Sequence, residues 1–151
     1  MRFAISAVLV FLTMTAVPVR GSGIDGKIPD QQSIDALATK AKDAQPREQC
    51  FLYAELVHEM TELSVRQYAA GDVEKAAELL KQIQGLTQKI HLSVADKDRR
   101  MRNTEILLRH TAFRLTGLLH STSFEDRPLV AETLADVNQV QTETMLQVFR
   151  K

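Results

Sequence analysis

Residues 46–80, PREQCFLYAELVHEMTELSVRQYAAGDVEKAAELL, decide the fold, because they contain a long helix, a tight turn and the start of a second helix. Pro46 suits the first turn of a helix, where its missing N–H has no partner to lose. Gly71 and Asp72 suit the turn, since Gly is favoured just past a helix end and Asp just before a helix start. A connection this short favours antiparallel packing of the two helices.

The helix predicted over residues 46–70 has a wide apolar face. At about 100° per residue, its charged residues fall in one narrow stripe. That stripe contains Glu55, Glu59, Glu62 and Arg66. Most of the remaining surface is apolar, with Leu52, Tyr53, Leu56, Val57, Met60, Leu63 and Tyr68. Such a wide apolar arc must contact more than one neighbour, so we expect this helix at the centre of a bundle.

Helix-forming residues dominate the rest of the chain as well. No stretch alternates apolar and polar residues as a half-buried strand would, and few glycines or prolines follow Gln31. A short first helix is predicted from about Gln31 to Ala44. The last helix is predicted to run to about Phe149, with a seam of Val130, Leu134, Val137, Gln141, Thr144 and Val148. Before it, Ser123 with Asp126, or Thr122 with Glu125, gives a capping arrangement.

Residues 72–121 fit either one very long helix or two helices joined near residues 95–98. An unbroken seven-residue spacing supports one helix, through Leu80, Thr87, Val94, Met101, Leu108 and Leu115. A single helix of about 50 residues would be roughly 75 Å long, about twice the reach of the helix at 46–70. We therefore favour a break or a sharp bend, and one long bent helix stays possible. The predicted fold is an all-α, antiparallel up-down bundle of four main helices plus a short N-terminal helix, spanning residues 31–151 as one domain.

The N-terminus has the pattern of a secretory signal. Phe3 to Val17 is a nearly continuous apolar run that follows Arg2. It is shorter than the roughly 20 residues that span a bilayer, but it suits the apolar part of a cleavable signal. We predict a signal peptide over residues 1–23 and a flexible lead-in over residues 24–30; an uncleaved anchor is the alternative. The mature protein would then be periplasmic or secreted, with no transmembrane span.

Charge and cysteine content narrow the classes of function. Two of the 19 basic residues, Arg2 and Arg20, would leave with the signal. The 19 acidic residues would then outnumber the remaining basic ones, so the mature chain would be slightly acidic. This argues against a general nucleic-acid binder, which needs a basic excess. Cys50 is the single cysteine, so no internal disulfide can form. We expect Cys50 in the apolar core, where cysteine behaves as a small hydrophobic residue.

The candidate metal ligands are Glu55, His58 and Glu62, which share one helical stripe. Metal sites in helical bundles use Glu-x-x-His because residues i and i+3 point the same way. A di-iron site needs two such motifs, and this chain has one. The alternative is an exposed polar stripe with His58 at its margin. The other histidines, His91, His110 and His120, show no ligand spacing among themselves.

Positive charge is concentrated in the third quarter of the chain, in Lys97, Arg99, Arg100, Arg102, Arg109 and Arg114. These residues spread around a helix without the aromatic partners that would stack on bases. They indicate either a solvated connector or a contact with an acidic partner or a lipid headgroup, where arginine pairs with phosphate. No glycine-rich phosphate loop and no Gly-x-Ser-x-Gly nucleophile motif is present in the sequence.

One segment resembles a known repeat. Leu63-Ser64, Gly71-Asp72-Val73-Glu74-Lys75-Ala76 and Leu80 resemble the turn and second helix of a tetratricopeptide repeat. Gln67 stands where that family usually has an aromatic residue, Gln88 stands where its closing proline is expected, and no second copy is found. The resemblance implies peptide binding in a concave groove. The alternative is a helical hairpin closed by Gly71-Asp72.

Three hypotheses of function follow. The first is a non-enzymatic interaction or scaffold module of the cell envelope that binds a protein or peptide, or assembles with itself. Its candidate apolar contacts are Tyr53, Met60, Tyr68 and Phe113. The second is a metal-binding bundle using Glu55, His58 and Glu62. The third is a sensor that binds small apolar molecules between its helices. No cofactor is predicted, and an enzyme of a kind that short motifs do not reveal stays open.

Overall fold

The computed structural model describes residues 29–94 and 100–150. Five helices form within these residues: α1 (Gln31–Asp43), α2 (Pro46–Ala70), α3 (Val73–Ser93), α4 (Met101–Ser121) and α5 (Arg127–Val148). The predicted all-α bundle of four long helices and a short first helix is confirmed. The predicted signal peptide and most of the predicted lead-in lie outside the described residues. No helix in the described part is long and apolar enough to cross a membrane.

Helix α2 lies at the centre of the packing, as its wide apolar face predicts. It contacts α1, α3 and α4, and α5 contacts α3 and α4. The four long helices therefore form a ring in the order α2, α3, α5, α4. Helices α3 and α4 face each other across one diagonal of this ring, although they follow one another in sequence.

Contacts between α2 and its neighbours give the helix directions. The Ser64 hydroxyl donates to the Ala76 carbonyl at 3.2 Å, and Lys89 lies 5.4 Å from the centre of the Tyr53 ring. Low numbers on α2 therefore meet high numbers on α3, so these two helices are antiparallel. Towards α4 the order is the opposite: Arg100 lies over the Phe51 ring at 4.6 Å, and His58 contacts Thr111 at 3.2 Å. Helices α2 and α4 are parallel.

The second hairpin packs in the same way. Gln141 donates to Glu105 at 3.1 Å, which fits an antiparallel α4 and α5, and His91 on α3 meets Glu143 on α5 at 2.7 Å. Because α3 is antiparallel to α2 while α4 is parallel to it, α3 and α4 run in opposite directions. The interpretation of residues 72–121 as two helices is therefore confirmed, and a single long helix is ruled out.

The residues predicted at the helix ends act in different ways. Gly71 has φ +85°, its N–H donates to the Tyr68 carbonyl, and the Asp72 N–H donates to the Gln67 carbonyl. Asp72 precedes α3 as predicted, but its side chain pairs with Lys75 at 3.7 Å instead of capping the helix. The Ser123 hydroxyl donates to Asp126 at 2.8 Å in the turn before α5, so this predicted capping pair shapes the connection and not the helix end itself.

The start of α1 has a feature that the sequence interpretation misses. Asp30, which the pattern assigns to the lead-in, accepts a hydrogen bond from the Ser33 N–H at 2.7 Å. The Ser33 hydroxyl lies 3.1 Å from the Asp30 N–H and accepts in return. This reciprocal pair is a capping box, and it sets the first residue of α1 at Gln31.

The core combines aliphatic side chains with threonines. Cys50, Leu80, Leu108 and Val137 are among its fully buried residues, so the predicted place of Cys50 is confirmed. Five threonines are equally buried: Thr61, Thr104, Thr111, Thr133 and Thr144. Each donates its hydroxyl to the carbonyl four residues earlier, at 2.7–3.2 Å. These bonds satisfy the hydroxyls within their own helices, so the threonines pack as valines would.

The buried stripe of α5 differs slightly from the predicted seam. Val130, Val137 and Thr144 are buried as predicted, whereas Leu134 and Gln141 are only half-buried. Thr133 and Val140 complete the buried stripe instead. Contact with both α3 and α4 rotates the buried face towards these residues, and Gln141 sits at its edge, where it reaches Glu105.

Candidate functional site: the groove between α2 and α4

A groove of about 650 Å³ runs along the outer surface between the parallel helices α2 and α4. Helix α2 contributes His58 and Glu62 to its lining. Helix α4 contributes Arg109, His110, Phe113 and Arg114. The volume lies within the range of roughly 300–1,000 Å³ that is usual for binding sites. We refer to these six residues as the α2–α4 groove.

Phe113 provides the apolar wall of this groove. Its side chain is 77% exposed, although the neighbouring turns of α4 bury Leu108, Thr111 and Leu115 completely. Phenylalanine in water forgoes a stabilisation of roughly 1.5–3 kcal/mol that burial would provide. A single exposed apolar side chain is common, but here the ring lines a concave site beside charged groups. That combination is typical of a binding surface.

Glu62 and Arg114 form a bidentate ion pair across the groove. Arg114 Nε donates to Glu62 Oε1 at 2.6 Å, and its Nη2 donates to Oε2 at 2.9 Å. Two parallel charge-assisted hydrogen bonds fix both side chains in orientation. The pair joins α2 to α4 and leaves this part of the groove with little net charge.

His58 joins the same two helices from a half-buried position. Its Nδ1 lies 3.2 Å from the Thr111 hydroxyl oxygen, and that hydroxyl already donates to the Leu107 carbonyl at 2.9 Å. The hydroxyl has one proton, so it accepts from His58, which assigns the His58 proton to Nδ1. Burial lowers the pKa of His58; nearby Glu62 and Glu55 oppose that shift, and His110 and Arg114 add to it. His58 is therefore neutral near pH 7.

The two edges of the groove differ in charge. On the α2 side lie Glu55 and Glu59, both half-buried. Burial, and then the proximity of Glu55 and Glu62, raises the pKa of Glu59. On the α4 side lie Arg102 and Arg109, both exposed. Arg109 has a loose contact of 3.9 Å with Glu105 and a side chain that is 61% exposed. The groove thus separates an acidic helix from a basic helix.

Two of the three predicted metal ligands, Glu62 and His58, are engaged in other contacts. The Glu62 carboxylate is held by Arg114 and the His58 Nδ1 by Thr111. Across residues 29–94 and 100–150, no group of three or more histidine, cysteine, aspartate or glutamate side chains could hold a metal ion. Nothing in this arrangement favours the metal hypothesis, which stays a prediction.

The other predicted site residues are distributed widely. Tyr53 and Met60 are buried and Tyr68 is half-buried, so Phe113 is the one exposed residue among the four apolar candidates. The fold brings His58 and His110 to the groove. It places His91 on α3, where it pairs with Glu143 at 2.7 Å, and His120 at the end of α4.

The basic residues of the third quarter of the chain have different surroundings in the described part, as their predicted spread around a helix implies. Lys97 and Arg99 lie outside the described residues. Arg100 stacks on the Phe51 ring, Arg114 pairs with Glu62, and Arg102 and Arg109 project from α4. Within the groove, Arg109 is therefore the exposed positive charge that has only a loose ion contact.

Thr111 is the site residue that the sequence interpretation misses, and a signal for it exists. Helix α4 buries residues at a regular three-four spacing: Met101, Thr104, Leu108, Thr111, Leu115 and Leu118. Thr104 and Thr111 occupy apolar positions of that pattern. A polar residue at such a position indicates a buried hydroxyl, which is then available to a neighbouring helix.

Comparison with known proteins gives no relative from which a function could be taken. No protein-family model matches the chain, no curated protein matches it, and no solved structure matches it. The segment that resembles a tetratricopeptide repeat forms the turn of the α2–α3 hairpin. That hairpin packs against α4 and α5 in one bundle. The function must therefore be inferred from the residues and geometry of the bundle itself.

Proposed function

We propose that this protein is an exported, non-enzymatic interaction module that binds a protein chain through the α2–α4 groove. The observation that carries the proposal is Phe113, which is 77% exposed in the wall of a groove of about 650 Å³. An exposed aromatic residue in a concave site is a typical anchor point, since aromatic residues contribute much of the binding energy at protein interfaces.

The form of the groove supports a polypeptide partner. It lies between two parallel helices and has an acidic edge on α2 and a basic edge on α4. Helical or extended segments dock in such grooves through apolar anchors, while charges at the edges set their orientation. The ion pair between Glu62 and Arg114 and the bond from His58 to Thr111 hold the groove in shape before binding, which reduces the entropy lost on association.

Photo-crosslinking tests the proposal. A photoreactive phenylalanine analogue at position 113 should give specific adducts with a protein chain in the native host. The same analogue at position 124 is the control, because Phe124 is 85% exposed but lies in the α4–α5 connection, away from the groove. Phe113→Glu should abolish capture of the same chain by the tagged protein, and Phe124→Glu should not. Equal adducts from both positions would count against the groove.

Export is tested separately. The proposal rests on the apolar run Phe3 to Val17, which is typical of a cleavable signal. The N-terminus of the protein recovered from the envelope or the medium should lie close to residue 24. A chain that still begins at Met1 would contradict cleavage, and recovery from the cytoplasm alone would contradict export.

A further inference from the structure

We propose that the occupant of the groove is a second copy of this chain, and that two molecules pair groove to groove about a twofold axis parallel to their helices. This inference rests on the proposed function, because it uses the same face of the bundle. It names the partner and its orientation.

Separated charge on the two helices is the first observation. Glu55 and Glu59 lie on the charged stripe of α2, where the exposed Arg66 further along donates to the Pro29 carbonyl, and Arg102 and Arg109 lie on the exposed side of α4. Within residues 29–94 and 100–150, neither Glu55 nor Glu59 forms an ion pair. Arg109 has only its loose contact with Glu105. The face therefore presents one acidic row and one basic row that its own fold leaves largely unneutralised.

The axial register of the two helices is the second observation. His58 meets Thr111 and Glu62 meets Arg114, which are separations of 53 and 52 residues. By the same offset, Glu55 on α2 lies level with residues 107–108 on α4. Arg109 is then one or two residues away along the axis, or about 1.5–3 Å. Glu55 and Arg109 thus have opposite charge and lie at nearly the same height, whereas Glu59 lies about one turn beyond Glu55 and Arg102 about two turns before Arg109.

A twofold axis parallel to the helices makes these rows complementary. Rotation about it preserves the height of every residue and exchanges the left and right sides of the face. Glu55 then faces the partner's Arg109, and symmetry repeats the contact, as an isologous interface requires. An axis across the helices would place α2 on the partner's α2, with like charges opposed. The charges therefore select one of the two possible arrangements.

Phe113 and the dimensions of the face fit the same arrangement. The two Phe113 rings lie at equal height on either side of the axis, so each can bury its exposed surface against the other molecule. Helix α4 has 21 residues and is about 31 Å long. Two helices side by side are roughly 20 Å wide. A face of this size approaches the ~800 Å² per partner that is usual for stable pairs.

Sedimentation velocity with charge-reversed variants tests the inference. The wild-type protein should sediment as a dimer that weakens with added salt. Glu55→Arg and Arg109→Glu should each weaken the dimer by at least about tenfold, because each variant opposes like charges twice. A mixture of the two variants should restore pairing, because every Arg at one position then meets a Glu at the other. Phe124→Glu is the matched control and should leave the dimer unchanged.

The outcomes separate the two proposals. A wild-type protein that stays monomeric at high micromolar concentration overturns the inference. So does a dimer that ignores both charge reversals, or a variant mixture that fails to pair while circular dichroism shows both variants folded. If the protein is monomeric but position 113 still crosslinks to a different chain, the proposed function stands and the inference falls. If neither occurs, both fall.

Discussion

Threonine at fully buried positions is the unusual residue choice in this core. The hydroxyl of Thr133 has no exposure and donates to the Leu129 carbonyl at 2.8 Å. That carbonyl is also part of the hydrogen-bonded backbone of α5, so removal of the hydroxyl does not leave it without a donor. Thr133 therefore contributes to stability chiefly through its shape, and its polar atom adds little.

Replacement of Thr133 by valine tests this interpretation. We expect Thr133→Val to leave the free energy of unfolding unchanged or to raise it by up to about 1 kcal/mol. The reason is that a desolvated hydroxyl is replaced by a methyl group of similar size. Urea unfolding measures the change. Thr142→Val, at an exposed position of the same helix, is the control and should have little effect. A loss above about 1 kcal/mol for Thr133→Val would show that the hydroxyl is structurally required.

His58 gives the protein a defined dependence on pH. Burial lowers the pKa of His58 in the folded state below its ordinary value of 6.5. Above that value the residue is neutral in both states. Below it, the unfolded chain takes up a proton that folded His58 resists, so the unfolded state binds more protons. The free energy of unfolding therefore falls as the pH drops below about 6.5, until the lowered pKa of the folded state is passed.

The prediction is that His58→Gln reduces this fall in stability. Urea unfolding at about pH 7.5 and about pH 5.5, on either side of the ordinary histidine pKa, measures the difference for each protein. His120→Gln, which replaces an exposed histidine at the end of α4, is the control for the substitution itself. Burial also raises the pKa of Glu59 and Asp136. These two carboxyl groups make the free energy of unfolding rise as the pH falls, opposite to His58, so the effect of His58 is measured as the difference between the variants. An unchanged slope in His58→Gln would contradict the assignment.

At the scale of the element, the turn between α2 and α3 depends on one glycine. Gly71 has φ +85°, a conformation that L-residues avoid. We expect Gly71→Ala to lower the free energy of unfolding by about 1–2 kcal/mol. Gly85→Ala is the matched control: it lies inside α3, an added Cβ would meet nothing within 4 Å, and the substitution should stabilise the protein by roughly 0.5–1 kcal/mol. Thermal unfolding of both variants should shift in opposite directions.

The elements were predictable wherever a local signal marks them. Pro46 and Gly71 give the bounds of α2, and the wide apolar arc predicts its central place. The break between α3 and α4 was harder, because Val94 and Met101 keep the seven-residue phase that a continuous helix would have. The phase of the apolar repeat shows which face of a helix is buried. It does not show whether the chain changes direction between two helices that bury their faces in the same core.

The site was predictable only in part. Glu55, His58 and Glu62 share a stripe, and the structure brings two of them, His58 and Glu62, into the groove. Their partners Thr111 and Arg114 lie more than 50 residues away in sequence. Pairing them requires knowing that α4 packs beside α2 and parallel to it. Helical periodicity predicts which face of each helix is buried, but it does not predict which helices pack side by side or in which direction.

At the scale of the whole molecule, two antiparallel hairpins pack so that each helix lies beside a parallel helix of the other hairpin. Helices α2 and α4 point one way, and α3 and α5 point the other way. Helices α3 and α4 therefore lie across a diagonal of the bundle from each other. This arrangement places Glu55 of α2 and Arg109 of α4 at nearly the same height. If α4 ran the other way, Glu55 and Arg109 would no longer be held at nearly the same height by this register, and the groove would have different walls.

Spin-label distances test this arrangement. Arg47, Asn103 and His120 are exposed and can be replaced by cysteine, whereas Cys50 is buried and should resist labelling. With α2 and α4 parallel, the distance between labels at 47 and 103 should be short. The distance between labels at 47 and 120 should exceed it by roughly 20 Å, given the rise of a helix. Dilution with unlabelled protein removes distances between two molecules. The reverse order of distances would require an antiparallel α4, and with it a different groove.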